Sequence, residues 1–156
     1  QANAPLRQIV GKQTAEGFCT AKSSAMWKAV KGFSKLSCMS GGGVEALIGE
    51  KDAVFESAEL SIKAQKDHMF HFVIKNETAS GFVRLYWKTE DTPIYLEENS
   101  TMIPIVPNDT ECREYCWPLG ESAGYSGVIK GFQVCPAAGE TCTGRLTILM
   151  MELRRI

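Results

Sequence analysis

The run Phe82–Thr89, F-V-R-L-Y-W-K-T, alternates apolar and polar residues with a period of two. Successive side chains of an extended strand point to opposite faces, so this pattern predicts a strand in a sheet with one buried face. The face that we predict to lie in a core carries Val83, Leu85 and Trp87. The opposite face, which we predict to be a wet sheet surface, carries Arg84, Tyr86 and Lys88.

Further strand-like runs lie on both sides of this one, and the segments between them carry Pro, Gly, Asn, Asp and Glu. Such punctuation is typical of antiparallel β-structure. The other predicted strands are Val44–Ile48, Val54–Ala64, Met69–Lys75, Thr101–Val106, Glu111–Trp117, Val128–Cys135 and Arg145–Arg154. About eight short strands with little helix indicate an all-β fold, an antiparallel β-sandwich or jelly roll.

A chain of 156 residues suits one domain with one hydrophobic core. We expect residues 1–17 to form an irregular N-terminal arm with at most one strand around Leu6–Val10, and residues 18–156 to form a single β-sandwich domain. A short helix over Ser24–Val30 is an open alternative to a strand or loop there. The triplet Gly41-Gly42-Gly43 lacks the Lys-Ser/Thr that follows a phosphate-binding loop, and we interpret it as a hairpin turn.

The asparagines and cysteines indicate an oxidising, secretory compartment. Three of the four asparagines open N-x-S/T sequons in predicted turns, and we predict glycosylation at Asn76, Asn99 and Asn108. The six cysteines, an even number, agree with disulfide formation. We therefore expect a secreted protein, or one on the extracellular face of the cell surface.

Disulfide connectivity is only partly constrained, since six cysteines allow 15 arrangements. The turn-rich insert between Cys135 and Cys142 favours that pair, and we favour Cys19 with Cys38, the only two in the first third of the chain. In an extended strand Cys112 and Cys116 would lie about 13 Å apart, so that strand is bulged or the two pair elsewhere. A zinc site joining them to the histidine pair H-x-x-H is the weaker interpretation, because His68 and His71 would point to opposite faces of a strand.

The runs R-L-Y-W-K-T, I-P-I-V-P-N-D, E-Y-C-W-P-L, G-V-I-K-G-F-Q-V and G-R-L-T-I-L, in this order, resemble the galactose-binding-like (discoidin-like) jelly rolls. The chain is especially similar to carbohydrate-binding-module-like domains of secreted enzymes that act on glycans, with Trp27 and Asp52 at matching places. The resemblance implies that Trp27 packs on a sandwich. It also implies a structural calcium held by an Asp of the last strand, where this chain has Leu149, with Glu152 three residues on. We expect no cofactor and no metal, and calcium remains the weaker alternative.

The sequence offers little material for catalysis. It has no G-x-S-x-G motif and only two histidines. The adjacent carboxylates Glu97 and Glu98 would diverge in an extended chain instead of flanking a glycosidic bond, so we interpret them as a solvated turn. We predict no enzyme. Lysine and arginine are scattered without a basic stripe, which excludes a nucleic-acid partner, and no apolar run is long enough for membrane insertion.

We expect a binding module instead. Sugar recognition needs aromatic rings with polar side chains beside them, and the candidate ligand-binding residues are Arg84, Tyr86, Lys88, Tyr95, Trp117 and Tyr125. A glycan is the first expected partner. An extracellular protein partner, for a jelly roll that has lost sugar binding, is the alternative, and a structural spacer in a larger enzyme is a third. An exposed aromatic in a polar groove would favour the glycan, and a flat apolar patch the protein.

Overall fold

A computed structural model describes residues 14–19, 27–38, 44–49, 53–136 and 143–155. These residues form twelve strands and two short 3-10 turns, and within these ranges no helix has the length and apolarity to cross a lipid bilayer. The strands are β1 Thr14–Cys19, β2 Trp27–Lys31, β3 Phe33–Cys38, β4 Val44–Ile48, β5 Val54–Ser57, β6 Ile62–Lys63, β7 His68–Glu77, β8 Phe82–Thr89, β9 Ser100–Pro104, β10 Arg113–Trp117, β11 Val128–Cys135 and β12 Gly144–Arg155.

The strands form two antiparallel sheets that face one another across a common core, which confirms the predicted β-sandwich. Sheet I has the order β10-β7-β12-β4-β3, and β1 pairs with the second half of β12. Sheet II has the order β2-β5-β11-β8-β9, and β6 pairs with the start of β11. The 3-10 turns are Glu97–Asn99, before β9, and Leu119–Glu121, after β10.

The core is built from the inward residues of both sheets. Trp87, Phe132, Phe70 and Tyr115 are fully buried, and the rings of Phe72 and Tyr115 stack with their centroids 5.1 Å apart. The predicted inward residues of β8 are at most 3% exposed, while the three outward ones stay half-buried, so the alternation in Phe82–Thr89 is confirmed.

The nearly continuous apolar run Met69–Lys75 also has the predicted environment. It lies within β7, which pairs with β10 on one side and β12 on the other, and the first five residues of β7 are all buried. Met69 and His71 point away from the core, yet only 2% and 5% of their surfaces are exposed. Both faces of sheet I are therefore covered along this strand, as expected for such an apolar run.

Several predicted boundaries are wrong. Val54–Ala64 is not one strand, because the chain leaves the sheet after Ser57 and pairs again only at β6. The Ser57 hydroxyl ends β5 by accepting a hydrogen bond from the Phe132 amide at 3.0 Å and donating one to the Ala58 carbonyl at 3.0 Å. The Leu60 amide then donates to the Lys130 carbonyl at 2.8 Å, which holds the detour against β11.

The N-terminal third differs from the prediction in one place, because a strand, β1, begins at Thr14, inside the predicted irregular arm. A strand, β2, begins at Trp27, which agrees with the strand or loop that the resemblance implied there and not with the alternative helix. The Trp27 side chain, the predicted strand near Leu6–Val10, Asp52 and the Gly41-Gly42-Gly43 turn lie outside the described residues. On either side of that turn, β3 and β4 pair antiparallel.

Candidate functional site

The outer face of sheet II presents polar and aromatic side chains from three adjacent strands. Residues that pair directly across antiparallel strands point to the same face. Tyr86 lies opposite Gln133 of β11, and Gln133 lies opposite Glu56 of β5. Lys88 lies opposite Gly131. We call this surface the tyrosine face and define it by Glu56, Glu59, Arg84, Tyr86, Lys88, Tyr95, Gly131 and Gln133.

Tyr86 occupies the middle of this face. Its ring packs on a small apolar cluster formed by the buried side chains of Val54 and Cys135. The guanidinium carbon of Arg84 lies 5.9 Å from the ring centroid, within the range of a cation–π contact. The apolar contacts below the ring and the arginine beside it fix its position.

Arg84 is held on the side toward β9. Its Nη1 donates a hydrogen bond to the Ser100 hydroxyl at 2.9 Å, and its Nη2 lies 3.5 Å from a carboxylate oxygen of Glu97. The Glu97 side chain is 79% exposed, so the ion pair is a surface pair of small energetic weight. The Arg84 guanidinium thus lies between the Tyr86 ring on one side and Ser100 and Glu97 on the other.

Tyr95 reaches the face from the loop after β8. The turn that begins at Thr89 reverses the chain, because the Thr92 amide donates to the Thr89 hydroxyl at 2.9 Å and the Thr89 amide donates to the Thr92 carbonyl at 3.0 Å. This reversal brings Tyr95 back over Lys88, whose Nζ lies 5.5 Å from the ring centroid and 3.4 Å from a carboxylate oxygen of Glu59. Burial raises the pKa of the Tyr95 hydroxyl well above its usual value, and the charges of Glu56 and Glu59 raise it further.

Gly131 makes this arrangement possible. A β-carbon at Gly131 would lie 2.6 Å from the Tyr95 hydroxyl oxygen and 2.9 Å from Cε of Lys88. Glycine inside a strand often marks such a close approach. Gly131, Gln133, Glu56 and Glu59 were not among the predicted site residues, although the glycine within the strand-like run V-I-K-G-F-Q-V was a usable signal.

Four of the six predicted ligand-binding residues come together on the tyrosine face: Arg84, Tyr86, Lys88 and Tyr95. The other two lie elsewhere. Trp117 of β10 packs against the core and donates from its indole nitrogen to the Thr101 hydroxyl at 3.2 Å. Tyr125 is 7% exposed, hydrogen-bonds His68 Nδ1 at 2.7 Å and meets the Trp87 ring edge-on. Neither belongs to the tyrosine face.

The outer face of sheet I is a poorer candidate. Met69, His71, Cys116 and Glu152 point outward there and are each no more than 5% exposed. His71 Nε2 lies 2.5 Å from Glu114, and His71 Nδ1 lies 3.3 Å from Glu152, which Arg154 also contacts. The histidine, glutamate and arginine side chains of this face therefore contact one another.

The cysteine, histidine and carboxylate side chains bear on the two metal sites raised from the sequence, a zinc site and a structural calcium site. His68 points into the sandwich toward Tyr125 and His71 points outward, as the strand interpretation required. Leu149, the residue aligned with the calcium-binding Asp of the resemblance, lies at an irregularity of β12, where the register shifts between Ile148 and Met150. Within the part of the chain that the structure describes, no three His, Cys, Asp or Glu side chains are grouped as metal ligands.

The predicted modification sites have different environments. Asn76 is 2% exposed, and its Nδ2, the atom that would carry a glycan, donates to the carbonyls of Ser80 at 2.9 Å and Val106 at 3.0 Å. Asn76 therefore shapes a turn and has no room for a glycan in this fold, which corrects the prediction there. Asn99 is half-buried, and Asn108 is exposed with a φ of 49°.

The structure describes three of the six cysteines with their side chains: Cys112, Cys116 and Cys135. Cys142 and the side chains of Cys19 and Cys38 lie outside the described residues. Cys116 is buried within β10, while Cys112 is exposed and precedes that strand. The pairings stay predictions.

Comparison with known proteins identifies the class of fold. A scan against protein-family models gives no match, and a search of curated proteins gives none. Among solved structures, the chain is similar to the xylan-binding module CBM15, with a TM-score of 0.60, 12% identity and coverage of 91% of this chain and 97% of that one. It is also similar to CBM86, a low-affinity xylan-binding module from Roseburia intestinalis, with a TM-score of 0.57, 10% identity and coverage of 94% and 96%.

A third similar structure is an arginine variant of CBM29-2, made to probe ligand recognition by family 29 carbohydrate-binding modules. Its TM-score is 0.57, with 14% identity and coverage of 94% of this chain and 92% of that one. The chain thus has the β-sandwich fold of carbohydrate-binding modules, as the sequence resemblance implied.

Proposed function

We propose that this protein is a secreted, non-catalytic carbohydrate-binding module that binds a glycan chain along the tyrosine face. The observation that carries the proposal is the half-buried Tyr86 ring on an outer sheet surface, with the Arg84 guanidinium carbon 5.9 Å from its centroid and Lys88 two positions further along the same strand. Aromatic rings supply a surface for the apolar face of a sugar ring, and the charged and amide groups beside them can hydrogen-bond its hydroxyls.

The charge of the face fits a neutral glycan. Arg84 and Lys88 each have a carboxylate within 3.5 Å, from Glu97 and Glu59 respectively. Gln133 and Glu56 form a further donor and acceptor pair, with 3.4 Å between their polar atoms. Because each cation is balanced locally, the face offers many hydrogen-bonding groups without a strong field of one sign.

Three neighbours of the same fold are carbohydrate-binding modules, and two of these are described as binding xylan. They support a glycan as the partner and make xylo-oligosaccharides the first probes. The adjacent carboxylates Glu97 and Glu98 lie in an exposed 3-10 turn instead of flanking a groove, which supports a non-catalytic role. The exposed sequon at Asn108 and the six cysteines support secretion.

The exposed apolar residues favour a glycan over a protein partner. The large hydrophobic side chains with high exposure among the described residues are Val30, Phe82 and Ile94, and they belong to three separate elements: β2, the start of β8 and the loop before Tyr95. A protein interface would need them in one contiguous patch.

The test is a glycan-array screen followed by calorimetric titration of xylohexaose. Lys88→Ala is compared with Lys75→Ala, since Lys75 is also a strand lysine beside a glutamate but lies in sheet I. We expect Lys88→Ala to weaken binding about tenfold, the weight of one good polar contact of about 1.4 kcal/mol, and Lys75→Ala to leave it unchanged. An equal loss in both variants, or silence across the array, contradicts the proposal, and silence makes a search for a protein partner the next experiment.

A further inference from the structure

The Tyr95 hydroxyl is buried in an unfavourable place. Its oxygen is out of contact with solvent, and it has no hydrogen-bond partner among the residues that the structure describes. A buried hydroxyl without a partner loses its bonds to water and gains nothing in return, which disfavours this position by a factor on the order of ten. Something else must hold the ring there.

Two contacts hold it. The ring lies beside the Lys88 ammonium, 5.5 Å from its centroid, and the hydroxyl fills the space that a side chain at Gly131 would occupy. We call this space the slot: its floor is Gly131, and Lys88 stands at its side. Both contacts are weak and reversible, since one is a cation–π contact of a half-buried lysine and the other is simple shape.

The slot without the ring would suit a sugar. Its surroundings include the Lys88 ammonium and the carboxylate of Glu59, 3.4 Å from it. Gln133 and Glu56 lie on the same surface, across β11. These donors and acceptors could bond several hydroxyls, whereas the phenol in the slot satisfies none of them. A sugar ring in this place would therefore gain the hydrogen bonds that Tyr95 lacks.

We propose that the slot above Gly131 is a second sugar subsite, which Tyr95 fills in the free protein and vacates when a glycan chain extends beyond Tyr86. This inference rests on the proposed function and adds to it a subsite that is hidden in the free molecule. In this arrangement Tyr95 competes with the glycan, and Tyr86 is the permanent platform.

The position of Tyr95 can be measured without any sugar. Protein labelled with 3-fluorotyrosine gives one fluorine resonance per tyrosine, and loss of a resonance in Tyr95→Phe assigns it. We expect the Tyr95 resonance to show no solvent-isotope shift in the native chain. In Gly131→Ala the new methyl group should expel the phenol, so the resonance should acquire the shift of an exposed ring. A solvent-exposed Tyr95 in the native chain would overturn the inference.

Affinity then tests the subsite. Calorimetric titration uses xylohexaose, which can span both places, and xylotriose, with folding checked by circular dichroism. We expect Tyr95→Ala to bind xylohexaose about tenfold more tightly, because no ring must be displaced, and to leave xylotriose unchanged. Tyr86→Ala should weaken both. Weaker xylohexaose binding by Tyr95→Ala would show that Tyr95 is a fixed platform, which would refute the second subsite but not the proposed function. If neither the native chain nor any variant bound xylohexaose, both the proposed function and the second subsite would be refuted.

Discussion

The Asn76 turn gives the sharpest test of the fold, because the same residue was a predicted glycosylation site. Its side chain makes four hydrogen bonds. Nδ2 donates to the carbonyls of Ser80 and Val106, and Oδ1 accepts from the Thr78 hydroxyl at 2.6 Å and the Thr78 amide at 3.2 Å. Asn76→Asp keeps the shape and the two acceptor bonds but replaces the donor by an oxygen that faces two carbonyl oxygens.

The magnitude follows from these contacts. Each of the two partner carbonyls loses its donor, and leaving such an acceptor unsatisfied costs about 1–3 kcal/mol. We therefore expect Asn76→Asp to lower the free energy of unfolding by about 4 kcal/mol. For a domain of this length that corresponds to a fall of about 8–16 °C in the melting temperature.

The assay is urea unfolding followed by tryptophan fluorescence, with Asn108→Asp as the matched control. Asn108 opens a sequon too, but its side chain is exposed, and aspartate tolerates its left-handed backbone as asparagine does. We expect the control to unfold within about 0.5 kcal/mol of the native chain. Equal unfolding midpoints of the two variants would refute the buried hydrogen bonds of Asn76. A glycan found on Asn76 of the folded, secreted protein would refute them as well.

Three further outcomes are expected. Arg84→Ala should weaken xylohexaose binding about tenfold, while Arg145→Ala, the same change on sheet I, should not, as calorimetry can show. Arg113 bonds Asp109 and holds the pKa of that carboxyl below its usual value, so the stability that the pair confers is present at neutral pH and is lost as the pH falls below about 4. The free energy of unfolding of Asp109→Asn should therefore depend less on pH in acid than that of the native chain, and an equal dependence would contradict this. Adding a chelator should leave the melting temperature unchanged, because His71 and Arg154 occupy the Glu152 carboxylate, and a clear fall would reveal a structural metal.

The sequence predicted the parts of the fold that local alternation controls. Phe82–Thr89 and Val128–Cys135 have the predicted bounds. Buried positions alternate with half-buried or exposed ones along all of Phe82–Thr89, whereas Val128–Cys135 also buries the neighbours Gly131 and Phe132. Alternation also continues through Val54–Ala64, yet the chain leaves the sheet after Ser57. The hydrogen bond between the Ser57 hydroxyl and the Phe132 amide decides this, and it joins residues 75 positions apart. A pattern within one segment holds no information about such a partner.

The two aromatic residues that fall outside the tyrosine face differ in how predictable they were. Tyr115 and Trp117 are two residues apart in β10, so they share a face, and Tyr115 is fully buried. A period of two in R-E-Y-C-W therefore already places Trp117 toward the core if Tyr115 is there. Tyr125 gave no such signal, since its burial depends on His68 and Trp87 from two other strands.

The choice between the two sheet surfaces was present in the sequence as a contrast between two strands. The outward positions Met69 and His71 of β7 are weakly polar and turn out to be buried, whereas the outward positions of β8 carry a tyrosine between two cations. Outward positions that are buried are not open to a ligand, so the half-buried outward residues of β8 make sheet II the better candidate surface. The position of Tyr95 could not be predicted from such a contrast. It depends on a turn at Thr89 and on the absence of a side chain at Gly131, which lies 36 positions further along the chain than Tyr95.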